Sequence, residues 1–308
     1  MEENNQNIVS VISSALKNFV SSIPVMDIVK QISSFTTNIF NSSGITEFVE
    51  RQRKLAEDLK DLKFEDYDKY FEDKIARAKT LGKFGWVISP HMSVGDETQM
   101  ALALMDGKNE KNYSKNFFYN PNMITRTIEE IRSNYLKADN LLFYINNFEK
   151  LLKKRDYTSA SFYISSIIDY RMKKIFTIEN MRRYEAIINT GINEKRKMYY
   201  QKSKKNKENI INIFVLTEFL PSFQEYAQRT FIEADGYKLG ENEPPYFNRN
   251  WLMHGSITKK VERYQALQLL NALSCLESII EHFKKYNLVN KETLWNLDLS
   301  HNHINKKL

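Results

Sequence analysis

The segment Lys259–Tyr286, KKVERYQALQLLNALSCLESIIEHFKKY, decides the fold. Tyr264, Leu267, Leu270, Leu273, Leu276, Ile279 and Phe283 recur at steps of three and four, the spacing of one helix face. No Gly or Pro interrupts them, so the spacing predicts a long helix with one face on a core. The rest of the chain follows the same habit. It carries only nine Gly and six Pro in 308 residues, and its long Lys-, Glu-, Leu-, Ile- and Asn-rich stretches show few alternating, strand-like runs. With 42% hydrophobic residues the chain can bury a real core. The expected fold class is all-α.

Just upstream stands Asn248-Arg249-Asn250-Trp251-Leu252-Met253-His254-Gly255. It puts a guanidinium, a carboxamide and an imidazole within six residues. Arg249 is a permanent cation with a planar fork that suits phosphate. His254 supplies an imidazole, the side chain whose unperturbed form trades protons near neutrality. If the stretch is helical, Asn250 and His254 share a face, with Arg249 at its edge. The Gly- and Pro-containing stretch 233–245 delivers the chain to this helix, so Arg249 falls in the first turn, where a bound anion would also meet backbone N–H groups. Gly255 lets the helix stop after His254. One group to grip an anion and one to move a proton is the minimum for cleaving a phosphodiester.

Arg249-Asn250-x-x-x-His254-Gly255 resembles the Arg-Asn-x-x-x-His motif of HEPN domains, all-helical domains of many prokaryotic toxin and phage-defence ribonucleases. None of His91, His282, His301 or His303 has an Arg at the motif's spacing, so the motif occurs once. The likeness spans residues 138–287, and the earlier part of the chain resembles nothing we can name. It implies a helical bundle of HEPN type over 136–308, with a C-terminal tail, preceded by a mainly helical regulatory or dimerising region over 1–135. It also implies a metal-independent endoribonuclease in an abortive-infection, toxin or antiviral-defence setting. In that reading His254 moves the proton, Arg249 holds the phosphate oxygens and Asn250 orients His254 or the phosphate. HEPN ribonucleases often place an acidic or polar side chain on an earlier helix near this pair, and Asp169 is the candidate here, against a plain solvated carboxylate. A homodimer facing both motifs into one cleft is implied as well, with an antitoxin or a phage-derived trigger as a further partner. The alternative is a non-catalytic HEPN-like protein that binds RNA or a nucleotide.

The densest positive run lies over 193–208 and holds Lys195, Arg196, Lys197, Lys202, Lys204, Lys205 and Lys207. Tyr199 and Tyr200 sit among them, so the run offers cations for phosphates and rings for unstacked bases. The RNA-contact reading stands beside the plainer one of a solvated helix face. The net charge of +7 makes an anionic partner reasonable.

Elsewhere the periodicity predicts helices over 45–62, from Phe64 to Thr80, over 98–105, from Pro121 through Ile131, over 138–154, from Phe162 through Ile175, and from Ile210 to Phe231. Asp156 is placed at a turn and cap, and a domain boundary is expected near 135. Residues 7–40 carry two apolar stripes split by Pro24. Their polar faces hold Ser, Thr and Asn rather than Lys and Arg, which favours a packing hairpin over a membrane-surface anchor. Asn41-Ser42-Ser43-Gly44 reads as a linker. His91, in a loop with no carboxylate pair near it in sequence, reads as structural or simply exposed. The single Cys275 excludes an internal disulfide framework and fits a reducing cytosol. The acidic, polar start Met1-Glu2-Glu3 is unlike a secretory signal, and no run is long and apolar enough to span a bilayer, so a cytoplasmic chain without stable membrane insertion is expected. No phosphate-cradling Gly-rich loop or metal-ligand spacing stands out. No cofactor or metal is expected.

Overall fold

The computed structural model describes residues 67–88, 90–92, 94–107, 111, 121–135, 141–176, 183–205, 215–232 and 243–289. Among these no strand occurs, and the fold is all-α. In chain order the α-helices are α1 (Tyr67–Lys83), α2 (Val94–Met105), α3 (Pro121–Glu130), α4 (Leu141–Lys153), α5 (Tyr157–Phe176), α6 (Tyr184–Ala186), α7 (Ile192–Lys205), α8 (Leu220–Phe231), α9 (Arg249–Met253) and α10 (Arg263–Lys285). One-turn π-helical segments follow α3 (Ile131–Tyr135), join α6 to α7 (Ile187–Gly191) and lead into α8 (Val215–Phe219). No helix of the described residues is long and apolar enough to cross a membrane. The readings of residues 7–40, the 41–44 linker, the 45–62 helix and the tail beyond 289 lie outside the described residues.

Helix α10 is the axis. It starts at Arg263, four residues after the Lys259 at which the segment opens. Glu262 there forms a capping box with Gln265, whose side chain accepts from the Glu262 backbone N–H at 2.8 Å. Every residue from Ala266 to Ile280 is buried. A one-sided stripe is therefore too modest a reading, since the polar face of α10 is covered too. Each buried polar group there needs a partner. Gln268 donates to the Phe84 carbonyl at 3.0 Å and Asn271 to the Val87 carbonyl at 2.7 Å. These bonds clamp the irregular segment after α1, with its fully buried Trp86, onto the central helix.

Helix α1 crosses α8 at almost no distance. A Cβ on Gly82 would lie 2.3 Å from the Ser222 carbonyl oxygen, so only glycine fits. Helix α1 is also pinned to the π-helical turn before α8, by Lys74 and Glu218, both buried, at 2.7 Å. Helices α4 and α5 form a hairpin. Arg155 takes a positive φ of 62° at its turn, and Asp156 caps α5 by accepting from the Ser159 N–H at 3.1 Å. One buried cluster runs from Phe71 through Ile128, Ile145 and Ile168 to Leu276 and Val289. Residues on both sides of the boundary expected near 135 share this cluster: α1 packs on α8 and carries α2, and α3 packs on α10.

Candidate functional site

Helix α9 is five residues long and both its ends are fixed by sequence. Asn248 has extended backbone and its Oδ1 accepts from the N–H groups of Asn250 (3.0 Å) and Trp251 (3.3 Å). Its Nδ2 donates to the carbonyls of Arg229 (3.3 Å) and Ile232 (3.2 Å), tying the cap to the end of α8. At the other end Gly255 has φ 68°. Its N–H reaches the Leu252 carbonyl at 3.1 Å, and the Ser256 N–H reaches that of Trp251 at 3.0 Å, a Schellman closure that a glycine at this position favours. Trp251 and Leu252 are buried between them. Two of the first-turn N–H donors are therefore already spent on Asn248, contrary to the expectation that they would await an anion.

Arg249 is the first residue of α9. Its Nη2 donates to Asp169 Oδ2 at 2.9 Å and its Nη1 to Asn250 Oδ1 at 2.8 Å. The guanidinium also lies over the Tyr184 ring, 5.2 Å from its centre. Asp169 comes from the outer part of α5 and is shared with Lys173 at 3.2 Å, one turn on. Lys173 covers the same Tyr184 ring at 4.8 Å. The constellation thus holds two cations, one carboxylate and one ring, and it keeps a net positive charge. Arg249 Nε and the Tyr184 hydroxyl are buried and have no hydrogen-bond partner among the described residues.

The structure brings Asp169 to Arg249 across 80 residues of sequence. It separates Asn250 from His254. Asn250 is buried, with its amide spent on Arg249 and, through Nδ2, on the Phe231 carbonyl at 3.0 Å. It positions the guanidinium rather than the imidazole. His254 caps α9 with its backbone N–H on the Asn250 carbonyl at 2.9 Å, and its side chain is exposed. Five helical residues are too short to hold both side chains on one buried face. Lys173 and Tyr184 escaped the sequence reading. The four-residue step from Asp169 to Lys173 was a usable signal, whereas nothing in sequence marks Tyr184.

The basic run is helix α7, and much of it serves the fold. Tyr199 is fully buried and stacks edge-on against Tyr286, with ring centres 4.8 Å apart. Lys202 donates to the Tyr286 carbonyl at 2.8 Å and to that of Asn287 at 3.3 Å, and Lys195 donates to the Leu288 carbonyl. These two lysines satisfy carbonyls just past the end of α10, where positive charge is favoured. Burial, together with the nearby Lys202 charge and against the pull of Glu194, sets the Lys195 ammonium below the ordinary lysine value. Arg196 is buried, Lys197 is exposed and Tyr200 is half-buried. Lys204 and Lys205 belong to the last turn of α7. Arg196 and Tyr199 are thus closed to solvent, while Lys197 is open to it.

Away from this region, His91 is not alone. Its Nε2 meets Glu130 at 2.7 Å, and Glu130 also meets Arg126 at 3.2 Å. The carboxylate that the sequence reading missed comes from α3. Among the described residues no His, Cys, Asp and Glu group could hold a metal ion. Compared with protein-family models, curated proteins and solved structures, the chain finds no match.

Proposed function

We propose that this chain is an endoribonuclease of HEPN type that cuts RNA without a metal, in an abortive-infection, toxin or phage-defence setting. The observation that carries the reading is the placement of Arg249. It is fixed at the start of α9 by Asp169 and Asn250, in a net positive cluster, with the exposed His254 at the other end of the same five-residue helix. The resemblance of Arg249-Asn250-x-x-x-His254-Gly255 to the HEPN motif supplies the reaction class.

In this mechanism the ribose 2′-oxygen attacks the adjacent phosphorus. A new O–P bond forms and the bond to the 5′-oxygen breaks, leaving a 2′,3′-cyclic phosphate and a free 5′-hydroxyl. The 2′-hydroxyl gives up a proton and the leaving 5′-oxygen takes one. His254 performs one of these transfers, and general acid–base help of this kind contributes ~10²–10⁴-fold. Arg249 holds the charge that develops on the non-bridging oxygens, while Asp169 and Asn250 are positioning residues for its guanidinium. One motif supplies one imidazole, so a second copy of the chain, with its own motif facing the same cleft, supplies the other proton carrier.

A non-catalytic RNA- or nucleotide-binding protein is the second reading, favoured by one observation: the Arg249 fork is already engaged by Asp169. Purified protein and His254→Ala are incubated with total RNA and transfer RNA in EDTA. We expect cutting by the wild type, ends carrying cyclic phosphate, and a loss of at least ~100-fold in the variant. Intact RNA that nevertheless shifts in a binding assay would favour the second reading, and equal cutting by both proteins would remove His254 from the site.

A further inference from the structure

Helix α5 turns one stripe toward the Arg249 motif. Thr158, Phe162, Asp169 and Lys173 follow one another at helical steps, so they share a face. The chain from α9 onward is tied to that face at two points. Arg249 meets Asp169 at 2.9 Å, and the Val261 N–H donates to Thr158 Oγ1 at 3.2 Å. The segment from Arg249 to Val261 therefore runs antiparallel to α5, and His254 lies between its two ties. Phe162 lies between the same two ties on α5, about 10 Å along the axis from Asp169.

Phe162 is 37% exposed. A single exposed apolar side chain is ordinary, but the surroundings of this one leave its ring open. The positions one turn to either side are Thr158, Ser159, Ser165 and Ser166, all too short to cover a ring face. Ser166 turns its hydroxyl back onto the Phe162 carbonyl at 2.8 Å, and Thr158 is held by Val261. Tyr163 next door behaves differently: it packs against Phe143 and Tyr144, with ring centres 6.1 and 5.8 Å away, and borders the core. Cations flank the Phe162 stretch at both ends. Arg249 and Lys173 stand beside Asp169, and the exposed Lys259 and Lys260 precede Val261 in the loop.

We propose that Phe162 is a stacking platform for the nucleobase beside the phosphate that Arg249 holds. The inference rests on the reading of Arg249 and His254 as the reactive pair, and it adds a substrate-positioning residue to them. An open ring between cations suits a strand whose phosphates meet the charges and whose base lies flat on the ring. A base inside a duplex has its faces covered by its stacked neighbours, so the nucleotide on Phe162 is unpaired and unstacked. The substrate is therefore RNA presenting a single-stranded stretch at the cut, and a continuous duplex is refused.

The test is fluorescence anisotropy of the full chain with labelled oligonucleotides whose 2′-oxygens are all methylated, so that they bind without being cut. One is single-stranded, one is a duplex and one is a single strand of abasic nucleotides. We expect the wild type to prefer the single strand. Phe162→Ala should bind it at least ~5-fold more weakly, with an unchanged salt dependence because no phosphate contact is lost. Phe162→Trp, which keeps a flat ring, should bind as well as the wild type and covers the case in which the Ala variant folds poorly. On the abasic strand wild type and Phe162→Ala should be equal. Equal binding of the single strand by wild type and Phe162→Ala would overturn the proposal, as would an equal loss on the abasic strand, a preference for duplex or no binding at all. Cleavage of unmodified RNA, run alongside, separates the two readings. A wild type that cuts, matched in cutting and binding by Phe162→Ala, loses the platform and keeps the ribonuclease. A wild type that cuts nothing but binds through Phe162 loses the ribonuclease and keeps the platform.

Discussion

Helix α5 carries two ion pairs two residues apart. Arg171 points into the bundle, where Nε meets Glu277 Oε1 at 2.6 Å and Nη2 meets Oε2, with side-chain exposures of 1% and 0%. Asp169 points to the rim and meets Arg249 at 2.9 Å, with exposures of 15% and 17%. The two pairs share the same chemistry and the same helix, but the inner guanidinium meets its carboxylate at two points and the outer one at a single point. They differ most in access. The inner pair is sealed against any ligand and can only hold α5 to α10. The outer pair lies nearer the surface, and in the proposed reaction it trades part of its partnership for a phosphate while Lys173 stays beside Asp169. Solvent access, rather than residue type, separates scaffold from candidate chemistry.

The inner pair offers the largest effect. Glu277→Ala would strand the Arg171 guanidinium in the core, and the cost of such an uncompensated buried charge is about 3–5 kcal/mol. Urea unfolding should show it as a large drop in midpoint. A drop under ~1 kcal/mol would mean that the pair is dispensable and the contrast between the two is mistaken.

The outer pair should respond differently. Asp169→Asn keeps the shape but frees the Arg249 fork from its counter-charge, and partly exposed pairs contribute about 0–1 kcal/mol. Stability should shift by no more than that, while the rate of RNA cleavage falls by roughly tenfold as the guanidinium loses its anchor, the order expected from one misplaced hydrogen bond of about 1.4 kcal/mol. Unchanged cleavage kinetics would make Asp169 a bystander.

An intermediate case sharpens the comparison by pH. Burial tends to raise the Glu130 pKa, but the hydrogen bonds and charges of His91 and Arg126 outweigh it and leave the carboxyl below its ordinary value of 4.5. A depressed carboxylate pKa stabilises the fold above the unfolded value, and that contribution is lost as pH falls through the folded pKa. Stability should therefore decline below about pH 4.5, and Glu130→Gln should flatten that part of the curve by a small amount. An identical acid slope in the variant would remove His91–Glu130 from the account of acid stability.

The sequence made the all-α class legible because long helical periodicities and scarce breakers survive any tertiary context. The seven apolar positions from Tyr264 to Phe283 that the spacing of α10 picks out all face the core, and Arg249 and Gly255 stand at the start and stop expected of α9. Periodicity names a face but not what will cover it. That is why α10 proved buried all round, and why α1 joined the same core as α10 across a boundary expected near 135. The fate of charges was harder still. Lys195, Lys202 and Tyr199 read as ligand contacts by composition, yet they complete the end of α10. Asp169 and Arg249 lie 80 residues apart, and such pairing follows from topology, which no local pattern encodes.

The most direct measurement is RNA cleavage and urea unfolding of Arg249→Ala on one preparation beside the wild type. An open, functional outer pair predicts that cleavage in EDTA falls at least ~100-fold while the unfolding free energy moves by no more than about 1 kcal/mol. A variant that cuts RNA at the wild-type rate and loses stability on the scale of Glu277→Ala would contradict the account, and would make Arg249–Asp169 a second structural clamp.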